Sequence, residues 1–224
     1  MSPRPLLFYF DFISPYAFLA WTQIRKIASQ SGRSVEPVPV LFAALLDAHG
    51  QKGPAEIPAK RRYLFKDIAR KAHRLGVASV APPPAHPFNP LAALRVASLP
   101  SAPETRDAII DALYTAAWTR REAIDTADAV SRILSKAGLD GPSLVAEAQT
   151  PAAKERLRVA TDVAIQRGIF GVPAVLDGEE LFWGTDSLPD LESHLRGELP
   201  EFPDAEWSTL PMAAVRKGSQ SRST

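Results

Sequence analysis

A serine stands where an aromatic, strand-like run hands over to a helix. In FYFDFISPYAFLAW, residues 8–21, the apolar pattern is interrupted by Asp11, Ser14 and Pro15. A hydroxyl at a helix mouth lies beside unpaired backbone N–H groups and the positive end of the peptide dipoles, an environment that favours an anion. The same residue type is what an N-cap requires, with Pro15 at the first helical position, so the local sequence supports a working group and a plain cap alike. Asp11 reads both as a partly buried acid tuning the helix mouth and as a strand-end turn former. Two further stretches carry chemistry-bearing groups. The basic helix AKRRYLFKDIARKAHRLG, residues 59–76, holds Lys60, Arg61 and Arg62 beside Tyr63, and the proline-rich loop VAPPPAHPFNP, residues 80–90, holds His86 and Asn89. Such cations and donors suit a carboxylate or a developing enolate. The plainer readings are a solvated helix face and a loop histidine.

The composition removes several classes of chemistry. With no cysteine, the chain has no disulfide framework, no Cys-based zinc site and no redox thiol of its own. Any thiol chemistry must use a borrowed thiol. A serine hydrolase would want a GxSxG elbow or a histidine base held by an acid; the motif is absent, and His49, His73, His86 and His194 are scattered. No His/Asp/Glu pair at ligand spacing is followed by a second, which argues against a metal site. Lys+Arg of 26 against Asp+Glu of 25 leaves a formal charge of +1, too little to recruit nucleic acid or an anionic membrane by net field. No apolar run approaches the ~20 residues of a membrane helix. The opening MSPRPLLFYFDFISP lacks an h-region with a small-residue cleavage site, so the expected address is the cytoplasm.

The elements that must position these groups follow from periodicity. PLLFYFDF (5–12) is continuously apolar, as a strand covered on both faces would be. YAFLAWTQIRKIASQ (16–30) places Phe18, Trp21, Ile24 and Ala28 at helical spacing. VEPVPVLF (35–42) is a strand whose Pro37 and Pro39 cannot donate ladder hydrogen bonds, which predicts a sheet edge. From about residue 43 to 168 the pattern is helical, interrupted by the proline loop. Within it, Ser101 and Glu104 have capping-box spacing, Asp125 is a candidate cap for the helix ending at Gly138, and Thr150-Pro151 opens the helix ending at Gly168. PAVLD and LFWG (173–177 and 181–184) form a hairpin through Asp177-Gly178, and SLPDLESHLRG closes the domain as a helix with Ser187 and Asp190 in capping-box-like spacing. The order is βαβ, helices, ββα.

That order, with the helical insert after the second strand, resembles the DsbA-like and kappa-class glutathione transferase branch of the thioredoxin-like fold. YFDFISPYAFLA, GVPA and FWGTD, taken in order, look like the 2-hydroxychromene-2-carboxylate isomerase family, and GPAEIPAKRRYLF and PPAHPFNPL are also similar to its members. The resemblance covers about residues 5 to 197. It implies an α/β fold with a mixed four-stranded sheet: residues 1–42 and 165–197 as a discontinuous thioredoxin-like domain, 43–164 as a helical insert domain, and 198–224 as a C-terminal tail. It further implies a glutathione-using enzyme, commonly a homodimer, in which the strand-to-helix turn carries the working group and Pro173 is cis. Ser14 is then the catalytic residue, donating to the glutathione thiolate; a serine cannot exchange disulfides. The glutathione contacts implied are Ser14, Val172, Pro173, Trp183, Gly184, Thr185, Asp186 and Ser187. Val172 would pair with the cysteinyl part like a short extra strand, Asp186 would take the γ-glutamyl ammonium, and the helix opened by Ser187 would offer N–H groups to the α-carboxylate. Lys60, Tyr63, His86 and Asn89 are the candidates for binding a small aromatic carboxylate. In this family the thiolate adds to the chromene system, the ring opens, a bond rotates, and the thiol leaves. One departure stands out: the family often has Asp-Arg after the Trp-Gly turn, and this chain has Asp186-Ser187. Two alternatives are a kappa-type glutathione transferase and a non-catalytic thioredoxin-like binding module.

Overall fold

The computed structural model describes residues 4–200 and Thr209, so most of the expected 198–224 tail lies outside the described residues. Strand β1 (Leu6–Phe10) runs into helix α1 (Pro15–Gln30), and β2 (Val35–Pro39) returns parallel to β1, pairing Phe8 with Pro37 and Phe10 with Pro39. Strands β3 (Ala174–Asp177) and β4 (Glu180–Trp183) form the antiparallel hairpin, and β3 lies antiparallel to β1, giving the order β2-β1-β3-β4. The mixed four-stranded, thioredoxin-like sheet is therefore as expected. The proline-bearing strand is at the edge, where ladder donors are needed on one side only. Gly178 opens the hairpin turn at φ +67, a conformation that side-chain-bearing residues rarely adopt.

Between β2 and β3 run α2 (Phe42–Ala48), α3 (Pro58–Arg74), α4 (Leu91–Ala97), α5 (Pro103–Trp118), α6 (Ala127–Lys136), α7 (Gly141–Ala148) and α8 (Pro151–Gln166); α9 (Leu188–Leu195) closes the fold. Three caps differ from the sequence expectation. Pro103 sets the start of α5, so Ala102 is its N-cap and the Ser101/Glu104 box does not form. Thr126, not Asp125, caps α6 by accepting from the Ala129 N–H. Ser187 precedes α9 but its hydroxyl donates to the Gly184 carbonyl (2.9 Å), leaving the helix without a side-chain cap. Thr150-Pro151 does open α8, with the Thr150 hydroxyl accepting from Ala153 N–H.

The strand alternation splits the core. Phe8 and Phe10 face α1 and continue through Phe12 into the insert, where Phe12 meets Tyr114 with ring centroids 4.8 Å apart. Tyr9 faces the other way, against Val40, Leu45, Ala164 and Ile169. One apolar cluster thus joins the sheet to the helices of the insert. The α1–α5 contact is pinned by polar groups as well: Trp21 Nε1 donates to Asp111 (2.6 Å), and Arg25 lies 4.5 Å over the Trp21 ring while pairing with Asp111.

Candidate functional site

The turn Asp11–Ser14 is held from every side. Its own backbone closes it, with Ser14 N–H donating to the Asp11 carbonyl (3.0 Å). The Asp11 carboxylate accepts from Ile13 N–H (3.0 Å) and from Phe42 N–H (2.9 Å), so it shapes the turn and anchors the start of α2. The carbonyls that face outward from the turn are each met by a side chain of the insert: Asp11 O by Tyr114 (3.3 Å), Phe12 O by Trp118 Nε1 (2.8 Å), and Ile13 O by His86 Nε2 (3.0 Å). Asp11 is fully buried. Loss of hydration outweighs its two N–H donors and pushes its pKa from 3.8 up to about 7.

Ser14, 6% exposed, is both a cap and a donor. Its Oγ accepts from Ala17 N–H (3.2 Å) and donates to Val172 O (3.3 Å), bridging the mouth of α1 to the residue before Pro173. The Val172-Pro173 bond is cis. The Val172 N–H donates to none of the described residues. Pro173 O accepts from Gly184 N–H (2.8 Å), which fixes the Trp183–Asp186 loop beside Val172. Thr185 Oγ1 donates to Tyr16 O (3.0 Å) and ties the same loop to α1. Trp183 is exposed and packs on Phe170 at 5.0 Å; Gly171 lets the indole close in, since a Cβ there would lie 2.6 Å from Trp183 Nε1.

Ser14, Val172, Pro173, Gly184, Thr185 and Asp186 are therefore brought together beside α1, with Ser14, Val172, Pro173 and Thr185 buried, Gly184 half-buried and Asp186 exposed. At the α9 N-terminus, Leu188 N–H donates to Thr185 O and Pro189 has no N–H, so neither of these two positions offers a donor. Lys60 and Tyr63 are exposed on α3, and the hydrogen bonds of Ser14 go to other residues. Asn89 is exposed, and its Oδ1 accepts from Leu91 N–H at the start of α4. His86 lies under the turn instead of on the surface, ringed by Phe65, Phe88 and Trp118. A carbonyl only accepts, so Nε2 carries the proton that reaches Ile13 O; burial lowers the His86 pKa and keeps the ring neutral.

Sequence reasoning passed over one group at this site. Lys71 on α3 is almost buried, and its Nζ sits 2.8 Å from Asp186 and 3.2 Å from Asp67. Tyr16 donates to Asp67 (2.9 Å). Burial works to lower the Lys71 pKa, and the two carboxylates outweigh it, holding the pKa above its ordinary value. The signal was present in the pattern: Lys71 falls in the buried stripe Leu64, Ile68, Lys71, Ala72, where a charge calls for a partner. A cleft of about 400 Å³ opens beside Lys71 and Asp186, between α1, α3 and α9. Among the described residues no cluster of His, Asp or Glu could hold a metal ion, and no helix is long and apolar enough to cross a membrane.

The fold and this turn can be compared with known proteins. The sequence pattern of the DSBA-like thioredoxin domain matches residues 6–196. The chain belongs to that family. It is 30% identical over 189 residues to 2-hydroxychromene-2-carboxylate isomerase from Pseudomonas putida, covering 83% of this chain and 91% of the relative. It is similar also to human (Homo sapiens) glutathione S-transferase kappa 1, 25% identical over 209 residues, covering 88% and 92% respectively. Among solved structures, a 2-hydroxychromene-2-carboxylate isomerase superposes with a TM-score of 0.78 at 27% identity, covering 86% of this chain and 94% of the other.

Proposed function

We propose that this DSBA-like protein is a glutathione-dependent isomerase acting on 2-hydroxychromene-2-carboxylate or a related aromatic acid. The observation that carries the proposal is the Ser14 hydroxyl, fixed at the N-terminus of α1 and bonded across to Val172 O. The residues present fit glutathione. Among the described residues, Val172 offers an unpartnered N–H and a carbonyl engaged only by a 3.3 Å bond, the pair of groups that an extended peptide needs. Asp186 offers a carboxylate, 76% exposed, for an ammonium.

Bound glutathione supplies a nucleophilic sulfur; the chain supplies its environment. Helix α1 directs N–H groups and its positive end at the site, which favours the thiolate over a thiol of ordinary pKa ~8.5. Ser14 then has a choice of acceptors. A hydrogen bond to an anion is roughly twice as strong as one to a neutral carbonyl, so the hydroxyl turns from Val172 O to the sulfur. That rotation frees Val172 O to accept a peptide N–H, so binding of the peptide and activation of the sulfur support each other. Capping is not lost, because Oγ still accepts from Ala17 N–H. Trp183 and Tyr63 give exposed aromatic surface for the substrate ring, and Lys60 and Asn89 give polar groups for its carboxylate. His86 acts through the turn, holding Ile13. A cytoplasmic location suits this chemistry, as that compartment keeps glutathione reduced.

The test is turnover of 2-hydroxychromene-2-carboxylate by purified protein with glutathione, read with a free-thiol assay. Constant thiol with product formed, and loss of turnover in Ser14→Ala, support the reading. The similarity to human glutathione S-transferase kappa 1 favours a second reading, conjugation of electrophiles. Stoichiometric loss of thiol would establish that instead. Binding without turnover on any electrophile or chromene would leave a thioredoxin-like binding module.

A further inference from the structure

A lysine that is 11% exposed in the side chain, in the apolar stripe of a helix, needs a reason to be there. Lys71 is held at its base by a fixed group. Asp67, one turn earlier on α3 and 13% exposed, pairs with it at 3.2 Å and is itself pinned by the Tyr16 hydroxyl at 2.9 Å. The Tyr16 ring lies 5.9 Å from the ammonium. From this anchored end Nζ reaches outward to Asp186 at 2.8 Å, the one member of the group that is mostly in solvent. The neighbouring residue gives no such support. Ser187 turns its hydroxyl back onto Gly184 O (2.9 Å), so the loop carrying Asp186 has no cation of its own beside that carboxylate.

The charges complete the argument. Asp67 and Asp186 carry two negative charges and Lys71 one positive, while Tyr16 is neutral, its hydroxyl proton retained because burial and Asp67 both raise its pKa. Within this group one negative charge is left, although the cleft beside it is lined also by Lys26, Arg74 and Glu192, so the complement to an ammonium is local to Asp186. Lys71 pairs with Asp186 through Oδ1, and the other oxygen of this 76% exposed carboxylate stays available to an ammonium.

We infer that Lys71 is a positioning residue: it fixes the Asp186 carboxylate for the γ-glutamyl ammonium of glutathione, from α3 and in place of a cation on the loop. The inference rests on the proposed glutathione use. Without Lys71, Asp186 is a free surface side chain that must be ordered at each binding event, and it repels Asp67. With Lys71, the ordering is done in advance.

Calorimetric titration with glutathione tests this, alongside a control peptide, glutaryl-cysteinyl-glycine, which lacks only the amino group of the first residue. Lys71→Met is expected to weaken glutathione binding about tenfold, the scale of immobilising a side chain on binding. Its affinity for the control peptide should be unchanged, and Lys71→Arg should recover most of the loss. In turnover, KM for glutathione should rise by the same factor with kcat within about twofold, as for lost binding of ground and transition state alike. Equal loss of both peptides would mean a general packing role and overturn the inference, as would undiminished glutathione binding in Lys71→Met. If Lys71→Met does not fold, Lys71→Gln in an Asp186→Ala background decides: it should add no further loss, and a second tenfold loss would refute the coupling. A wild-type protein that binds no glutathione at millimolar concentration overturns the proposed function and the inference with it; a wild type that binds beside an unaffected Lys71→Met overturns the inference alone.

Discussion

Replacing Asp11 by asparagine should make the protein's stability less sensitive to pH in a window set by one buried carboxyl. Asp11 has no exposed surface, and its pKa rises from 3.8 to about 7 on folding. A folded-state pKa above the unfolded one means the native state binds the proton more tightly. The stability this adds is complete below about pH 4 and is lost as pH rises through 7. At about 1.36 kcal/mol per pH unit, the full difference is about 4 kcal/mol, of which about 3 kcal/mol disappears between pH 5 and pH 8. His86 pulls the other way, because burial lowers its pKa and it resists protonation as pH falls below its ordinary 6.5. The wild-type curve therefore mixes the two, and the difference between wild type and Asp11→Asn isolates Asp11. The neutral amide keeps one acceptor for Ile13 or Phe42 and loses the other, a penalty of about 1–3 kcal/mol that does not vary with pH. Urea unfolding of both proteins from pH 5 to pH 8 gives the measurement. Wild type should lose about 3 kcal/mol relative to the variant across that range. A difference that stays flat would show that the two N–H bonds outweigh burial and that Asp11 is ionised throughout.

Ser14→Ala removes a cap and a bridge to Val172, so it should lower stability by about 1 kcal/mol, small enough that lost turnover in a folded variant reports chemistry, not unfolding. His86→Phe fills the ring site but leaves Ile13 O without a donor; thermal unfolding should show a loss of about 1–3 kcal/mol, with turnover in the proposed isomerase assay falling through the loosened turn. Asp177 is 7% exposed and accepts from Arg33 at 2.7 Å and from Arg4 and His194. Burial works to raise its pKa, and these partners overcome that and hold it low. Asp177→Ala should destabilise by about 3 kcal/mol in urea because the largely buried Arg33 loses its partner, without changing affinity for glutathione.

Much of this was legible along the chain because the relevant interactions are local. The aromatic strand, the amphipathic α1 and the Ser14-Pro15 start follow from residues within one turn of each other. The edge position of β2 follows from Pro37 and Pro39 alone. The errors come where neighbours compete. Ser101 had the spacing of a capping box, but Pro103 fixes the helix start one residue later. Ser187 had a similar spacing, yet its hydroxyl found the Gly184 carbonyl first. His86 and Lys71 are a different case. The partner of His86 is Ile13, separated by 73 residues, and one partner of Lys71 is Asp186 on a different element. Lys60, Arg61 and Arg62 lie exposed on the helix, the plainer of the two readings their run allowed, while Lys71 sits in the buried stripe. No local pattern carries such pairings; the topology makes them.

The carbonyls of Asp11, Phe12 and Ile13 bear on how this architecture can be taken apart. Each is met by a side chain from residues 86–118, which lie outside the sheet and its flanking helices. A miniature made by joining the strands and deleting the helical segment would keep the strand sequences, the serine and the proline, but would strip the turn of its outer supports and Phe10 and Phe12 of the Tyr114 ring they pack on. Grafting a different helical segment would have the same effect unless it brought a tyrosine, a tryptophan and a histidine to the same places. The inserted helices are thus the mould in which the Asp11–Ser14 turn is cast, and substitutions at His86, Tyr114 and Trp118 offer a route to reshaping that turn without altering any residue in it.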